Sequence, residues 1–221
     1  MRPKVLSAPG PVSYPLIVSG KVELVFGKEG TEADAIADSI VSLIRRGLRA
    51  HYGALRGLLA VHPELRSPTA VWRRGSAADV LVRVAYKRLG TRDFELVYYE
   101  DLSEAQRLLA EGKVRSVVGS TAALNGLRLE DLLETLGVKV PSSCGLHIVK
   151  REAEDAIVSA YLEGIDKIKQ DPVGTSETIA KALSIGRPPS FIERILRSAD
   201  LFLRKIDDYS DLEAEVRSVI V

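Results

Sequence analysis

Short apolar runs of four to six residues recur along the first half of the chain, each stopped by glycine or proline and most followed by a segment with helical spacing. That alternation restricts the chain to sheets covered by helices. The first run, Lys4–Ser7, ends in Ala8-Pro9-Gly10-Pro11. The second, Val22–Phe26, closes at Gly27. A helix is expected next, with Thr31 as N-cap and Glu32 and Asp34 in the positive first turn. Ile36, Ile40, Leu43 and Ile44 form its apolar stripe, and Arg45 and Arg46 precede a stop at Gly47. Leu58–Val61 reads as a buried strand running into His62-Pro63.

The alternation then repeats. Ala70–Trp72 is a strand, and Ser76 and Asp79 have capping-box spacing at the head of a helix that lasts to Gly90. Phe94–Tyr99 is a strand. Ser103 and Gln106 form a second capping-box pattern, before a helix ending at Gly112, and Val114–Val118 is a strand entering Gly119-Ser120-Thr121. Leu146–Val149 is the last expected strand. Helices follow over Glu152–Lys169, Thr175–Ser184, Ser190–Ile206 and Asp211–Ile220. Two runs of strand and helix imply two α/β lobes with mainly parallel sheets. Residues 1–64 and 146–221 are assigned to lobe I, which carries the C-terminal helices, and residues 65–145 to lobe II.

Composition narrows the function classes. Hydrophobic residues make up 46% and charged residues 28%, which excludes a disordered or collagen-like chain. The net charge of +1 shows no basic excess, so nucleic acid is not an expected partner. Pro9, Pro11 and Pro15 interrupt the apolar N-terminus before a secretory signal could form, and no run approaches a membrane span. A cytoplasmic place is therefore expected, and an extracytoplasmic one only if an export signal has been trimmed. Three side-chain amides, Gln106, Asn125 and Gln170, accord with a thermophilic source.

The sequence Ala-Pro-Gly-Pro after the first strand, then VELVFG, VWRRGSAADVLVRVAYKRLG and FELVYYEDLSEAQRLLAEGKVRSVVGS, resembles the type 2 periplasmic-binding-protein-like family of solute-binding proteins. The similarity spans nearly the whole chain and points toward small archaeal relatives of solute-binding lipoproteins. It implies a two-lobed fold with a hinge, closing over a ligand cleft. Against the family pattern, no export signal is expected in these residues, almost no helix is expected after strand one, and the sequence is shorter than most members.

Ligands of open α/β sheets bind beyond the carboxyl ends of the strands, near helix N-termini. Applied to the first lobe, that rule selects Ser7, Ala8, Pro9, Gly10, Ser13, Tyr14, Gly27 and Lys28. Applied to the second, it selects Arg74, Gly75, Ser76, Ala77, Tyr99, Glu100, Gly119, Ser120 and Thr121. The N–H groups after Ser76, with Arg74 beside them, would seat a carboxylate or phosphate. The plainer reading stands beside it: Gly-Ser at a helix start is first a turn and a cap, Arg73-Arg74 is equally a solvated pair, and Tyr14 and Tyr99 are more often core or rim aromatics.

Catalytic signals are sparse. His51, His62 and His147 show no metal-ligand spacing, so no metal and no cofactor is expected. Cys144 could pair with His147 or His62 as a nucleophile, but a lone cysteine is more often a small buried hydrophobe. P-loop, GxGxxG and GxSxG patterns are absent. Binding of a small anionic solute between the lobes is the expected function, with a transporter as a conceivable partner. The alternative is an enzyme on the same scaffold, such as a menaquinone-pathway-type lyase acting on a small carboxylate. A phosphoribosyltransferase would show a glycine-rich loop in an acidic stretch, and a ligand-sensing regulator a helix-turn-helix. Neither is found.

Overall fold

Tertiary pairing decides several elements that local spacing leaves open. The computed structural model describes residues 2–27, 32–183 and 186–220. Residues 1–56 hold β1 (Lys4–Ser7), a 3-10 turn (Pro11–Ser13), α1 (Tyr14–Ser19), β2 (Glu23–Phe26), β3 (Ala35–Ser39), α2 (Ile40–Arg45) and β4 (Tyr52–Arg56). Residues 57–141 hold β5 (Leu59–His62), β6 (Thr69–Trp72), α3 (Ala77–Arg88), β7 (Leu96–Tyr99), α4 (Leu102–Ala110), β8 (Ser116–Ser120), β9 (Leu127–Arg128) and α5 (Leu129–Thr135). The remainder holds β10 (Cys144–Ile148), a 3-10 turn (Arg151–Ala153), α6 (Glu154–Gln170), α7 (Pro172–Ala182), α8 (Pro189–Ser198), β11 (Asp200–Lys205) and α9 (Ser210–Val219). The chain forms two units, residues 1–56 with 142–207 and residues 57–141 with 208–221.

In the first unit six strands lie in the order β11-β4-β10-β3-β1-β2. β1 is parallel to β2 and β3, whereas β10, β4 and β11 run antiparallel to their neighbours. Helix α6 lies against α1 so closely that a Cβ added at Gly164 would fall 1.9 Å from the Pro15 carbonyl oxygen. Val5, Ala35, Ala37, Leu146, Ile157 and Tyr161 are fully buried in this core.

In the second unit the order is β7-β6-β8-β5-β9. β6 is parallel to β7 and β8, and β5 is antiparallel to β8 and β9. Ala60, Ala70, Tyr99, Ala105, Val117 and Leu124 pack together, with Leu102, Leu108 and Leu109 of α4 against them. Ser76 caps α3: its hydroxyl accepts the Asp79 N–H at 3.2 Å, while the Asp79 carboxylate reaches back to the Gly75 N–H at 2.7 Å.

The structure departs from several of these expectations. Both sheets are mixed, because β10 and β5 return antiparallel beside the parallel strands. The helix expected from Thr31 to Gly47 is a strand followed by a helix: β3 pairs with β1 and β10, and Ser39, accepting the Ser42 N–H at 3.1 Å, is the N-cap. Thr31 lies outside the described residues. The helix expected over Ser190–Ile206 stops at Ser198, because Asp200–Lys205 pairs with β4. The unit boundary falls after Arg56 instead of residue 64, because β5 belongs to the second sheet, and α9 belongs with the second unit, where Glu215 pairs with Lys87 and Arg88 of α3. The helix after the first strand is indeed short, the six residues of α1, and Asp101 caps α4 in place of Ser103.

Candidate functional site

The parallel strands of the second unit bring three strand ends to one edge: Trp72 of β6 lies opposite Tyr99 of β7, and Val71 opposite Val118 of β8. The loop from β6 to α3 turns sharply there. Arg73 and Gly75 both have positive φ, 37° and 78°, and the Ser76 N–H closes the turn onto the Arg73 carbonyl at 3.2 Å. Gly75 takes the left-handed conformation at no steric cost, whereas Arg73 is held there against its preference.

The two arginines of this loop differ. The Arg73 Nε and Nη2 atoms both lie 2.5 Å from Glu100 Oε2, and its guanidinium stacks over the Trp72 ring, 5.0 Å from the centroid. Arg74 is exposed and has no ion pair or hydrogen bond among the described residues. It stands beside the start of α3, where the Ala77 and Ala78 N–H groups have no partner among the described residues. The Ser76 hydroxyl is occupied, donating to the Trp72 carbonyl while accepting from Asp79. An uncommitted guanidinium next to unpaired helix N-terminal amides is the chemistry that holds a small oxyanion.

Other residues selected at this edge have structural roles. The buried Tyr99 donates its hydroxyl to the Val118 carbonyl at 2.7 Å, and burial pushes its pKa up to about 12. A Cβ on Gly119 would come within 2.8 Å of Leu102 Cδ1 and 2.9 Å of the Tyr99 hydroxyl, so this glycine serves packing. Ser120 accepts the Ala122 N–H at 3.2 Å, and Thr121 donates to the Gly57 carbonyl at 2.8 Å. Arg128, which the strand-end rule does not select, reaches this same corner: its guanidinium lies against Gly57. Only the antiparallel return of β5 and β9 brings it there.

In the first unit the carboxyl ends of β1 and β3 share an edge with the start of β10 and the end of β4: Ser7 lies opposite Ala37, and Cys144 opposite both Ser39 and Ala54. Pro9 is exposed and a Cβ at Gly10 would meet open space. Ser7, Ser13 and Tyr14 are buried. The Ser7 and Ser13 hydroxyls donate to the backbone carbonyls of Ala8 and Gly10. The Tyr14 hydroxyl has no hydrogen-bond partner among the described residues, and burial, partly offset by Arg187, raises its pKa to about 12. Gly27 donates its N–H to the Ser7 carbonyl at 3.1 Å, and Lys28 lies outside the described residues. Strand alternation sends the Cys144 and His147 side chains to opposite faces of β10, which separates that nucleophile pair.

Two clusters escape sequence inspection. Asp38, 5% exposed, accepts the Ser39 N–H at 2.7 Å and the Ser42 hydroxyl at 2.6 Å, with Arg46 at 3.7 Å. At the other edge of the sheet, His51 and His147 stack. Among the described residues no group of three or more His, Cys, Asp or Glu side chains could hold a metal ion. No helix among them is long and apolar enough to cross a membrane.

The family model described as "Protein of unknown function (DUF3834)" matches residues 1–202. No curated protein matches the chain by sequence. Among solved structures, a candidate nitrate transport protein from Thermoplasma volcanium is similar with a TM-score of 0.76 at 21% identity, over 97% of this chain and 89% of that one. The periplasmic aliphatic sulphonate binding protein SsuA from Escherichia coli gives 0.64 at 11% identity, over 98% and 90%. A Candida albicans gene product with the generic periplasmic binding protein fold gives 0.56 at 14%, over 99% and 88%. These likenesses establish the periplasmic-binding-protein-like fold, with mixed α/β sheets flanked by helices.

Proposed function

We propose that this chain, which belongs to the DUF3834 family, binds a small anionic solute at the carboxyl edge of its second sheet, with Arg74, Gly75 and the Ala77 and Ala78 N–H groups as the anion seat. The observation that carries this reading is the contrast within one loop. Arg73 is neutralised by Glu100, while Arg74, one residue on, keeps its charge uncommitted beside the head of a twelve-residue helix. An exposed cation alone is ordinary. A cation beside unpaired amides, on a turn that glycine lets a ligand approach closely, supports an oxyanion subsite. Two of the structural relatives are named for nitrate transport and for aliphatic sulphonate binding, and both solutes are oxyanions. The fold alone does not choose a function, so the loop chemistry bears the weight. A transporter as partner, and an extracytoplasmic place, belong to the same reading.

Nitrate, methanesulfonate and phosphate, each titrated during thermal unfolding, test it. Selective binding to the folded state raises the unfolding midpoint with ligand concentration. A saturable rise for at least one anion in the native chain, lost in Arg74→Glu and retained in Arg45→Glu, is expected. An equal rise in Arg74→Glu, or no rise for any of the three, overturns the reading.

A further inference from the structure

A second concave site lies at the opposite end of α3, about 18 Å along the helix from Ser76. Here α9 and the segment after α3 enclose a groove of about 570 Å³, within the range that small ligands occupy. Its walls carry Arg83, Lys87 and Arg92, Phe94 lines it, and Thr91 and Ser218 add hydroxyls. Phe94 stacks on Tyr86 with ring centroids 4.6 Å apart and planes 12° from parallel, so its position is set by the core beneath it.

The charges around the groove do not cancel. Asp79 binds Arg83 at 2.8 Å, and Glu215 is shared between Lys87 at 3.0 Å and Arg88 at 2.9 Å. Of the three cations that line the groove, Arg83 is paired with Asp79 and Lys87 with Glu215 and the Ser218 hydroxyl, which leaves the charge of Arg92 unbalanced. Arg92 is exposed and has no ion pair or hydrogen bond among the described residues, and Asp93 beside it does not line the groove. Arg83 uses Nε on Asp79 and Nη2 on the Tyr98 hydroxyl, which fixes the guanidinium and leaves Nη1 without a partner among the described residues. A fixed guanidinium, an uncommitted one, an ammonium and an apolar ring along one groove suit a ligand with an anionic head and a flat body.

We propose that this groove is a second ligand site, specific for a small organic anion whose charged head meets Arg92 and Lys87 and whose apolar part lies against Phe94. It is independent of the seat at Arg74. Titration calorimetry with phenyl phosphate and with inorganic phosphate, on the full chain, separates the two sites. Phenyl phosphate should bind saturably and at least about tenfold more tightly than inorganic phosphate, since its ring buries apolar surface that phosphate lacks. Arg92→Glu should weaken the tight phenyl phosphate binding at least about tenfold, while Arg74→Glu should remove only a weaker binding of the strength of inorganic phosphate and leave the tight one in place. Arg92→Gln, which removes the charge without reversing it, should give an intermediate loss, with a melting temperature equal to that of the native chain in both Arg92 variants. The proposal is overturned if phenyl phosphate gives no saturable heat, if both Arg92 variants bind it as the native chain does, or if Arg74→Glu abolishes the binding.

Discussion

The His51 imidazole stacks on that of His147, with ring centroids 5.1 Å apart and planes 27° from parallel. The pairing of β10 with β4 makes neighbours of two residues far apart in sequence. Each ring is held by backbone: the Ile148 N–H donates to His51 Nδ1 at 2.9 Å, and His147 Nδ1 meets the Arg49 carbonyl at 2.8 Å. His51 therefore accepts through Nδ1 and is neutral there. Burial lowers its pKa below 6.5, and His147, Arg49 and Arg151 push it further in that direction against the opposing pull of Glu154. The unfolded chain then binds the extra proton more readily, so stability is full above about pH 6.5 and falls as the pH drops through the lowered folded value. Urea unfolding midpoints from about pH 8 to about pH 5 should show this decline. His51→Asn keeps an acceptor near the Ile148 N–H and removes the titrating ring, so it should flatten the profile in that window. An unchanged slope would mean that another group titrates there.

Gly164 and Gly10 should respond oppositely to the same added methyl. At Gly164 the Cβ would lie 1.9 Å from the Pro15 carbonyl oxygen, and backbone cannot yield as a flexible side chain can. Gly164→Ala should force α6 off α1 and destabilise by about 3 kcal/mol or more. At Gly10 the backbone is extended, with φ −162°, and nothing lies within 4 Å of the added atom. Gly10→Ala should stay within about 0.5 kcal/mol of the native chain. Paired urea denaturation curves compare them directly.

The legible parts of the fold are those where local chemistry and long-range pairing agree. Ser76 and Asp79 announce a helix start, and the start of α3 is built from those groups. Lys4–Ser7 and Thr69–Trp72 are apolar runs that become central, doubly paired strands. The misread parts are those where pairing overrides spacing. Ile36 and Ile40 share helical spacing, yet Ile36 lies in β3, opposite Leu6 and His147. Leu201 and Leu203 extend the apolar pattern of α8, yet β4 needs a partner on its outer edge and recruits Asp200–Lys205. The site reading divides in the same way. The strand-end rule selects Arg74, Tyr99 and Gly119 alike, and it cannot tell Arg74, whose charge is uncommitted among the described residues, from Tyr99 and Gly119, which the core uses.

Asp79 holds the β6–α3 turn by three bonds from a nearly inaccessible position, 3% exposed: to the Gly75 N–H at 2.7 Å, Arg83 Nε at 2.8 Å and the Tyr98 hydroxyl at 3.1 Å. Asp79→Ala removes the carboxylate that holds the half-buried Gly75 N–H and leaves the Arg83 guanidinium without its ion pair, so it should cost about 3 kcal/mol, more than the roughly 1 kcal/mol expected of Ser76→Ala as a lost cap. Asp79→Asn retains one acceptor and should fall between them. If Ser76→Ala proves as damaging as Asp79→Ala in chemical denaturation, the turn rests on the serine cap and the carboxylate is secondary.

Tyr14 distinguishes a core tyrosine from a ligand contact. It is 1% exposed and its hydroxyl has no hydrogen-bond partner among the described residues, while burial raises its pKa to about 12. A buried hydroxyl without a partner has lost its water and gained nothing in exchange. Tyr14→Phe should therefore leave stability unchanged or raise it by about 1 kcal/mol, and should leave the anion-induced rise in unfolding midpoint intact. Arg74→Glu should do the reverse: little change in stability without ligand, since the side chain is exposed and uncommitted, and loss of the rise with ligand. If Tyr14→Phe abolishes the response while Arg74→Glu preserves it, the anion seat belongs to the first sheet, where a bound anion would accept from the Tyr14 hydroxyl and supply its missing partner.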